Sequence, residues 1–409
     1  MSARRFRWSA AAWLALAPLL PAAAPAEEWR LGDLGLVAAG EVDGATAIGD
    51  DGHFNDSDYF RSELSRLRLR LTTAVFLGSR VALLGELRSD DLAAPSVYAL
   101  YLRVRPWEER SLHVQAGMIP PVFGAFARRT YASDNPLIGL PLAYQYLTSV
   151  SAQGVAESAD DLGRSRGWGS RPRLEIRARD SLSGLPLVDA LRWDTGVQLT
   201  LGSRPLQLAA AVTRGSPSHP VVRDDNDGRQ LAARLAIQPG PGFVVGLSAA
   251  RGAYLSRDVR ALLPEPAAGR EFRQSALGVD LELSRGYWLF RAEGIWSAWE
   301  TPVVAAPEID SPLEARAVSV EGRYRFVPGM YAAVRFDRLV FDRVQGSGRW
   351  FTWDAPVSRL EAGVGLSLRR NLVVKASYQH NWRDPPVYGY SGAPVRSDGI
   401  VATQLSFWF

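Results

Sequence analysis

The sequence predicts an all-β fold: a transmembrane antiparallel β-barrel of 18 strands, or 16 if two weak segments are not strands. Three observations predict it. Hydrophobicity alternates with a period of two along almost the whole chain, as it does in strands with one face against an apolar medium. Short turns and long loops alternate between the segments so marked. After the first 26 residues no apolar run of about 18 follows, so the sequence offers no helical span.

Residues 1–26 read as a secretory signal peptide. Arg4, Arg5 and Arg7 precede an apolar stretch from Ala10 to Leu20, and Ala24-Pro25-Ala26 supplies a small-residue cleavage site. The apolar run is too short to cross a bilayer, and Pro18 and Pro21 interrupt it. Without this segment the formal charge of +4 falls to +1, so the basic balance is no argument for a nucleic-acid partner. The chain has no Cys, which excludes a disulfide scaffold, a thiolate metal site and a Cys nucleophile. Residues 27–409 are then one barrel domain.

The alternation is clearest in Arg66-Leu67-Arg68-Leu69-Arg70-Leu71, with three arginines on one face and three leucines on the other. Runs at 173–179, 230–235, 277–283, 318–326 and 359–364 repeat it. In a membrane barrel the leucine face meets lipid and the arginine face meets a polar lumen. Gly78-Ser79, Gly202-Ser203-Arg204, Arg285-Gly286, Val327-Pro328-Gly329 and Arg370-Asn371 are short periplasmic turns; 44–60, 216–227, 253–272, 300–312, 343–355 and 384–396 are long outer loops. A barrel with both ends on one side needs an even strand number. Counting from both ends, parity requires one strand between 119 and 169, and Leu140 to Val150 fits best, which makes 18. Aromatic residues at strand ends, among them Trp107, Tyr287, Trp288, Trp299, Tyr324 and Tyr331, predict interfacial girdles. Arg338 falls on the lipid-facing register, which places it near the outer rim or at a bulge.

The final segment alternates Val401, Thr403, Leu405, Phe407 and Phe409 against Ala402, Gln404, Ser406 and Trp408. It resembles the closing strand of bacterial outer-membrane β-barrels, with Phe409 as the barrel-closing terminus. Gly117-Met118-Ile119-Pro120-Pro121-Val122-Phe123-Gly124 resembles the G-x-x-x-P-F-G passage of the phosphate-selective porin family, although Val122 interrupts the Pro-Phe pair. The resemblance covers about ten residues and the general architecture. It implies an outer-membrane location and a loop, here 119–169, folded into the barrel. The partners it implies are outer-membrane lipid and lipopolysaccharide, the barrel-assembly machinery and small hydrophilic solutes. A homotrimer is a family expectation.

On this reading Arg128 and Arg129 form the pore constriction. The lumen-lining bases are Arg66, Arg68, Arg70, Arg103, Arg105, Arg173, Arg177 and Arg179, and the lumen-lining acids are Glu86, Glu175, Asp280 and Glu282. Most lumen charges brace the wall as cross-strand pairs, and the basic excess predicts mild anion selectivity. The function expected is a porin forming a water-filled channel for passive diffusion. The alternative is a polysaccharide-export barrel resembling the alginate-export channels, whose continuous basic path the acids would interrupt.

An enzyme is not expected. The four histidines, His53, His113, His219 and His380, stand in no recognisable nucleophile–base arrangement. Asp224-Asp225-Asn226-Asp227-Gly228 resembles the start of a calcium loop, but position 235 is Leu where a bidentate acid is needed. No metal or cofactor is called for.

Overall fold

The computed structural model describes residues 27–31, 34–49, 64–107, 109–167, 174–178, 183–203, 205–388 and 394–409. The expected signal peptide lies outside them. Sixteen antiparallel strands form the wall. They are β1 (Leu34–Ile48), β2 (Arg66–Leu77), β3 (Val81–Asp90), β4 (Ser96–Val104), β5 (Leu112–Ile119), β6 (Asp194–Leu201), β7 (Leu206–Thr213) and β8 (Gln230–Gly240). The circuit continues with β9 (Phe243–Ala253), β10 (Arg273–Arg285), β11 (Trp288–Trp299), β12 (Leu313–Val327), β13 (Met330–Phe341), β14 (Val357–Arg369), β15 (Leu372–Tyr388) and β16 (Pro394–Trp408). Each pairs with its sequence neighbour, and β16 returns to β1 with Val401 opposite Ile48 and Trp408 opposite Glu41. Closure leaves no free sheet edge, which lipid requires of a spanning sheet.

The wall therefore has 16 strands, not 18. Both miscounted segments lie between β5 and β6. Leu140–Val150 is no strand: it contains one helical turn, Leu142–Gln145, with all four residues buried. Among the described residues of the 173–179 run, Ile176–Arg177 is extended, and it pairs with Gly154–Val155 in a two-stranded ribbon separate from the wall. Period-two patterning reports a half-buried extended chain, and a segment packed inside a barrel can satisfy it without joining the sheet.

The lipid-facing register is consistent around the barrel. Leu71, Leu83, Leu100, Leu199, Leu247, Val279, Phe290, Val320, Phe336, Leu360 and Val401 are all exposed. In water such a continuous apolar surface would be a liability; against hydrocarbon it is the stable state. Near the short turns Trp288 stacks on Phe290 (centroids 5.4 Å) and tilts against Tyr324 (4.5 Å), as a girdle does. Two of the predicted girdle residues turn inward instead. Trp299 is fully buried, edge-on to Trp353. The Tyr331 hydroxyl donates to the Pro136 carbonyl (3.0 Å). Arg338 is on the outward register three residues before the end of β13, and its Nη1 donates to Ser358 Oγ (2.9 Å).

The seam is sealed by Phe409. Its N–H donates to the Gly40 carbonyl (2.9 Å) and its carbonyl accepts from the Gly40 N–H (2.8 Å). Below this point the short strand Glu27–Leu31 takes over as the partner of β1, with Glu27 opposite Ala38. The Phe409 ring lies over Gly40, where a Cβ would come within 2.3 Å of Cζ. We expect Gly40→Leu to destabilise the barrel by roughly 1–3 kcal/mol through this clash. The folded band on an unboiled gel should disappear at a lower temperature than in wild type; an unchanged transition would show that the ring does not need the space.

Candidate functional site: the barrel lumen

The lumen is occupied by the described residues of the connection between β5 and β6, 120–167, 174–178 and 183–193. This segment carries much of the main hydrophobic cluster, including Val122, Phe123, Phe126, Leu140, Leu142, Tyr144, Tyr146 and Leu187. The cluster continues into the outer loops through Tyr254, Val259, Trp299, Ile309 and Trp353. Every wall strand turns at least one inward residue into buried surface, from Glu41 on β1 through Tyr98, Arg234 and Arg335 to Gln404 on β16.

A segment whose own ladder is a single two-residue ribbon must find partners for most of its backbone groups. Wall side chains supply them. The Gly124 N–H donates to Ser248 Oγ (3.1 Å), and the Ala125 N–H to Glu293 Oε1 (2.8 Å). Ala132 N–H reaches Glu41 Oε1 (3.3 Å). Ile138 and Gly139 N–H groups both donate to Glu361 Oε1 (3.2 and 3.0 Å). In the opposite sense, Lys375 Nζ donates to the carbonyls of Ala132 and Asn135, and Arg359 Nη1 to that of Leu140 (3.0 Å). A Cβ at Gly139 would lie 2.0 Å from Gln379 Nε2 and 2.7 Å from Glu361 Oε2, so any side chain there would displace the ends of these two wall residues.

Tyrosines of the segment complete these contacts. The Tyr131 hydroxyl donates to Glu86 Oε2 (2.7 Å) and its ring lies 4.4 Å from the Arg70 guanidinium. The Tyr144 hydroxyl donates to Glu293 Oε1 (2.8 Å). Burial pushes both phenols up, and the adjacent carboxylates push further, so both remain donors at any physiological pH. Higher up, Asp354 of an outer loop accepts from the N–H groups of Ser149 (2.7 Å) and Gly167 (2.8 Å).

The charged wall residues proposed from sequence fall into two groups. Arg66, Arg68, Arg70 and Glu86 face inward and are braced: Arg66 to Asp43 (3.6 Å), Arg68 to Asp90 (2.7 Å), and Arg70 to Glu41 and Glu86 (3.7 and 3.8 Å). Asp280 pairs with both terminal nitrogens of Arg234. These residues support the wall and the segment.

The second group lies toward the short-turn ends of the strands, together with further basic residues not named above. On β4 and the turn after it are Arg103, half-buried, and Arg105, exposed, with His113 on β5. Half a circuit away on β11 and β12 are Arg291, Arg323 and Arg325. Arg129, from the 3₁₀ turn Phe126–Arg129, projects toward the same side, 3.7 Å from Glu282, which also accepts from Arg291 Nε (2.9 Å). Burial lowers the pKa of the Arg129 guanidinium, and the nearby Arg291 charge lowers it further. It remains a cation, in a neighbourhood already rich in positive charge.

Two predicted lumen residues are not brought to the wall. Arg177 and Glu175 are exposed on the inward segment, where Glu175 pairs with Arg164 (3.3 Å). Arg173 and Arg179, like the side chain of Arg128, lie outside the described residues. Sequence reading missed the clamps. Alternation puts Glu293 and Glu361 on the inward register, but nothing in the sequence shows that backbone amides are their partners. Lys375 carried a signal, as the only lysine in the chain. In an outer loop His219 Nε2 lies 3.2 Å from Asp225 Oδ2, but its other ring nitrogen has no hydrogen-bond partner. Among the described residues no group of three or more potential ligands could hold a metal ion.

Compared with known proteins, the chain matches no protein-family model and no curated protein. Solved structures share its fold. In vitro folded OmpT, an outer-membrane protein of Vibrio cholerae, aligns with a TM-score of 0.56 at 10% identity, over 94% of this chain and 100% of that one. Its trimer form aligns at 0.51 and 11%, over 92% and 99%. An anion-selective porin from Comamonas acidovorans aligns at 0.56 and 9%, over 92% and 100%. The outer-membrane channel DcaP of Acinetobacter baumannii aligns at 0.52 and 12%, over 92% and 97%. At such identities the likeness is one of fold.

Glu361→Ala should be costly, because it strands two buried amides and Arg335, whose Nη2 donates to Glu361 Oε2 (2.7 Å). A loss of roughly 3–5 kcal/mol is expected in urea unfolding. Asp134→Ala, at an exposed position on the same segment, should stay within about 0.5 kcal/mol of wild type. Equal effects would mean that Glu361 is not an anchor.

Proposed function

We propose that this protein is a bacterial outer-membrane porin that conducts small hydrophilic solutes passively, with a preference for anions. The observation that carries the reading is the cluster of basic side chains at the short-turn end. Arg103, Arg105 and His113 stand on one side, and Arg129, Arg291, Arg323 and Arg325 on the other, against Glu282 and Glu321. A 16-strand barrel is wide enough for an aqueous path, and low-dielectric walls concentrate the field of this excess charge. Residues 120–193 narrow the path, with Arg129 at the constriction. Residues 1–26 act as the export signal, and the mature chain forms one barrel domain.

The anion-selective porin that shares the fold supports the ionic preference, and the trimer form of OmpT makes a homotrimer the assembly to look for. The phosphate preference of the family named above rests on a short motif and is carried no further. Acids interleaved with the bases, Glu86, Glu282 and Glu321, break any continuous basic track. That favours small solutes over a polyanionic polymer.

The test is single-channel recording in planar bilayers under a KCl gradient. Stable steps with a reversal potential on the chloride side are expected. Arg103→Glu with Arg105→Glu should move it to the cation side, and Arg129→Ala should weaken the preference without reversing it. A barrel that inserts but passes no current would overturn the channel reading. A wild-type reversal potential on the potassium side would overturn the anion preference. The preference should also fade as salt rises from about 0.1 M to about 1 M, because the Debye length shrinks from about 10 Å to about 3 Å.

A further inference from the structure

The inner wall carries its polar groups in two patterns. Across β10–β14 one inward row alternates in sign from strand to strand: Glu282, Arg291, Glu321, Arg335 and Glu361 stand opposite one another in turn. Across β4–β7 the two rows nearest the short turns contain no acid. Arg103 stands opposite Gln115, Gln115 opposite Gln198, and Gln198 opposite Ala211. In the row closer to the turns His113 stands opposite Thr200, and Thr200 opposite Ala209, with Arg105 just beyond the end of β4. In the row farther from them Tyr101 stands opposite Gly117, and Gly117 opposite Gly196, so no side chain of β5 or β6 stands beside the Tyr101 ring.

The groups of this patch are left with bonds to make. Neither Arg103 nor Arg105 forms an ion pair with a described residue. The inward acids on the flanking strand positions are taken: Glu86 by Arg70 (3.8 Å) and the Tyr131 hydroxyl (2.7 Å), Asp194 by the N–H groups of Gly215 and Val221 (2.9 and 3.2 Å). Gln198 is buried; its Nε2 donates to Thr200 Oγ1 (3.1 Å), but its Oε1 has no hydrogen-bond partner. Gln115 Oε1 and His113 Nδ1 are likewise buried without one. A buried acceptor without a donor is a destabilising feature that a bound hydroxyl would relieve. Tyr101, Arg103, His113, Gln115 and Thr200 are half-buried on the inward register, so they face the lumen. The Tyr101 ring is backed by Trp193 (centroids 6.0 Å).

We propose that this patch binds an anionic sugar, a polyhydroxylated solute with one carboxylate or phosphate group. The proposal deepens the porin reading and rests on it for the access of solutes to the lumen. Arg103 and Arg105 take the anionic group through paired N–H donors. Solute hydroxyls donate to Gln115 Oε1 and Gln198 Oε1, and an apolar face of the sugar lies on the Tyr101 ring. Each half of the ligand answers a different part of the patch. A simple anion meets the charge and leaves the amide oxygens unpaired; a neutral sugar meets the amides and leaves the guanidinium groups without an acceptor of their own charge. Sites built to hydrogen-bond a hydroxyl reject analogues that lack it, because their own polar groups are then left without partners.

The experiment is calorimetric titration of the folded mature barrel in detergent, which reads binding whether or not the barrel conducts. The probes are D-glucuronate and glucose-6-phosphate. The controls are D-glucose, which lacks the charge, and cyclohexanecarboxylate, which lacks the hydroxyls. The better of the two anionic sugars should bind about tenfold tighter than either control. Gln115→Leu with Gln198→Leu should weaken it about tenfold and leave cyclohexanecarboxylate unchanged. Arg103→Gln with Arg105→Gln should bring it down to the level of D-glucose. Gel shift on heating checks that each variant is folded. Anionic sugars that bind wild type no tighter than the controls overturn the site, whether or not the variants fold. Equal weakening of glucuronate and cyclohexanecarboxylate by the glutamine variant also overturns it, because the amides then serve only the wall. Chloride current without sugar binding sinks the site and leaves the porin reading standing; sugar binding without current does the reverse.

Discussion

A backbone amide enclosed within a protein must meet an acceptor, and this constraint organises the whole molecule. The wall satisfies it by closing on itself, strand to strand, with Phe409 and Gly40 exchanging the last pair of hydrogen bonds. The described residues between β5 and β6 cannot satisfy it that way over most of their length, because they run as turns and short helices with one two-residue ribbon. Their amides and carbonyls are met by Glu41, Ser248, Glu293, Arg359, Glu361 and Lys375. Ion pairs, such as Arg335 with Glu361, hold these wall groups in place. The lumen charges near mid-height are thus largely structural, and removing one leaves a buried group unpaired.

Charge outside this network lies at the short-turn end, where Arg129 and Arg291 share Glu282 and Arg291 also meets Glu321. There the strand arginines stand on opposite sides of the barrel, too far round the wall to pair with each other's acids. This division separates the wall groups that position the segment from the basic groups gathered at the short-turn end. Electrostatic preference in a narrow path depends on such basic groups and on the dielectric of the walls.

Much of this was legible in the sequence. Alternation of period two marks the inward and outward faces of a strand wherever one face meets lipid, so Arg66, Arg68, Arg70, Glu86, Arg103, Asp280 and Glu282 could be assigned inward from their neighbours alone. The same rule put Arg338 on the lipid face. It failed for the 140–150 and 173–179 segments, because burial inside the barrel produces the same local pattern as membership of its wall. It also misplaced Trp299 and Tyr331, since an aromatic at a strand end can face either way.

The sequence by itself determined the class of fold, the face of nearly every wall strand and the location of the one exceptional connection. Those follow from local hydrophobic period and turn chemistry, which need no knowledge of the rest of the chain. Only the tertiary structure decided the strand number, the clamps on the inward segment and the acid-free patch of β4–β7. Each depends on which residues meet across the lumen or between adjacent strands: Glu293 with Ala125, Glu361 with Gly139, Gln115 with Gln198. Those meetings are set by register and closure around the full circuit, and no window of sequence contains both partners in their final relation.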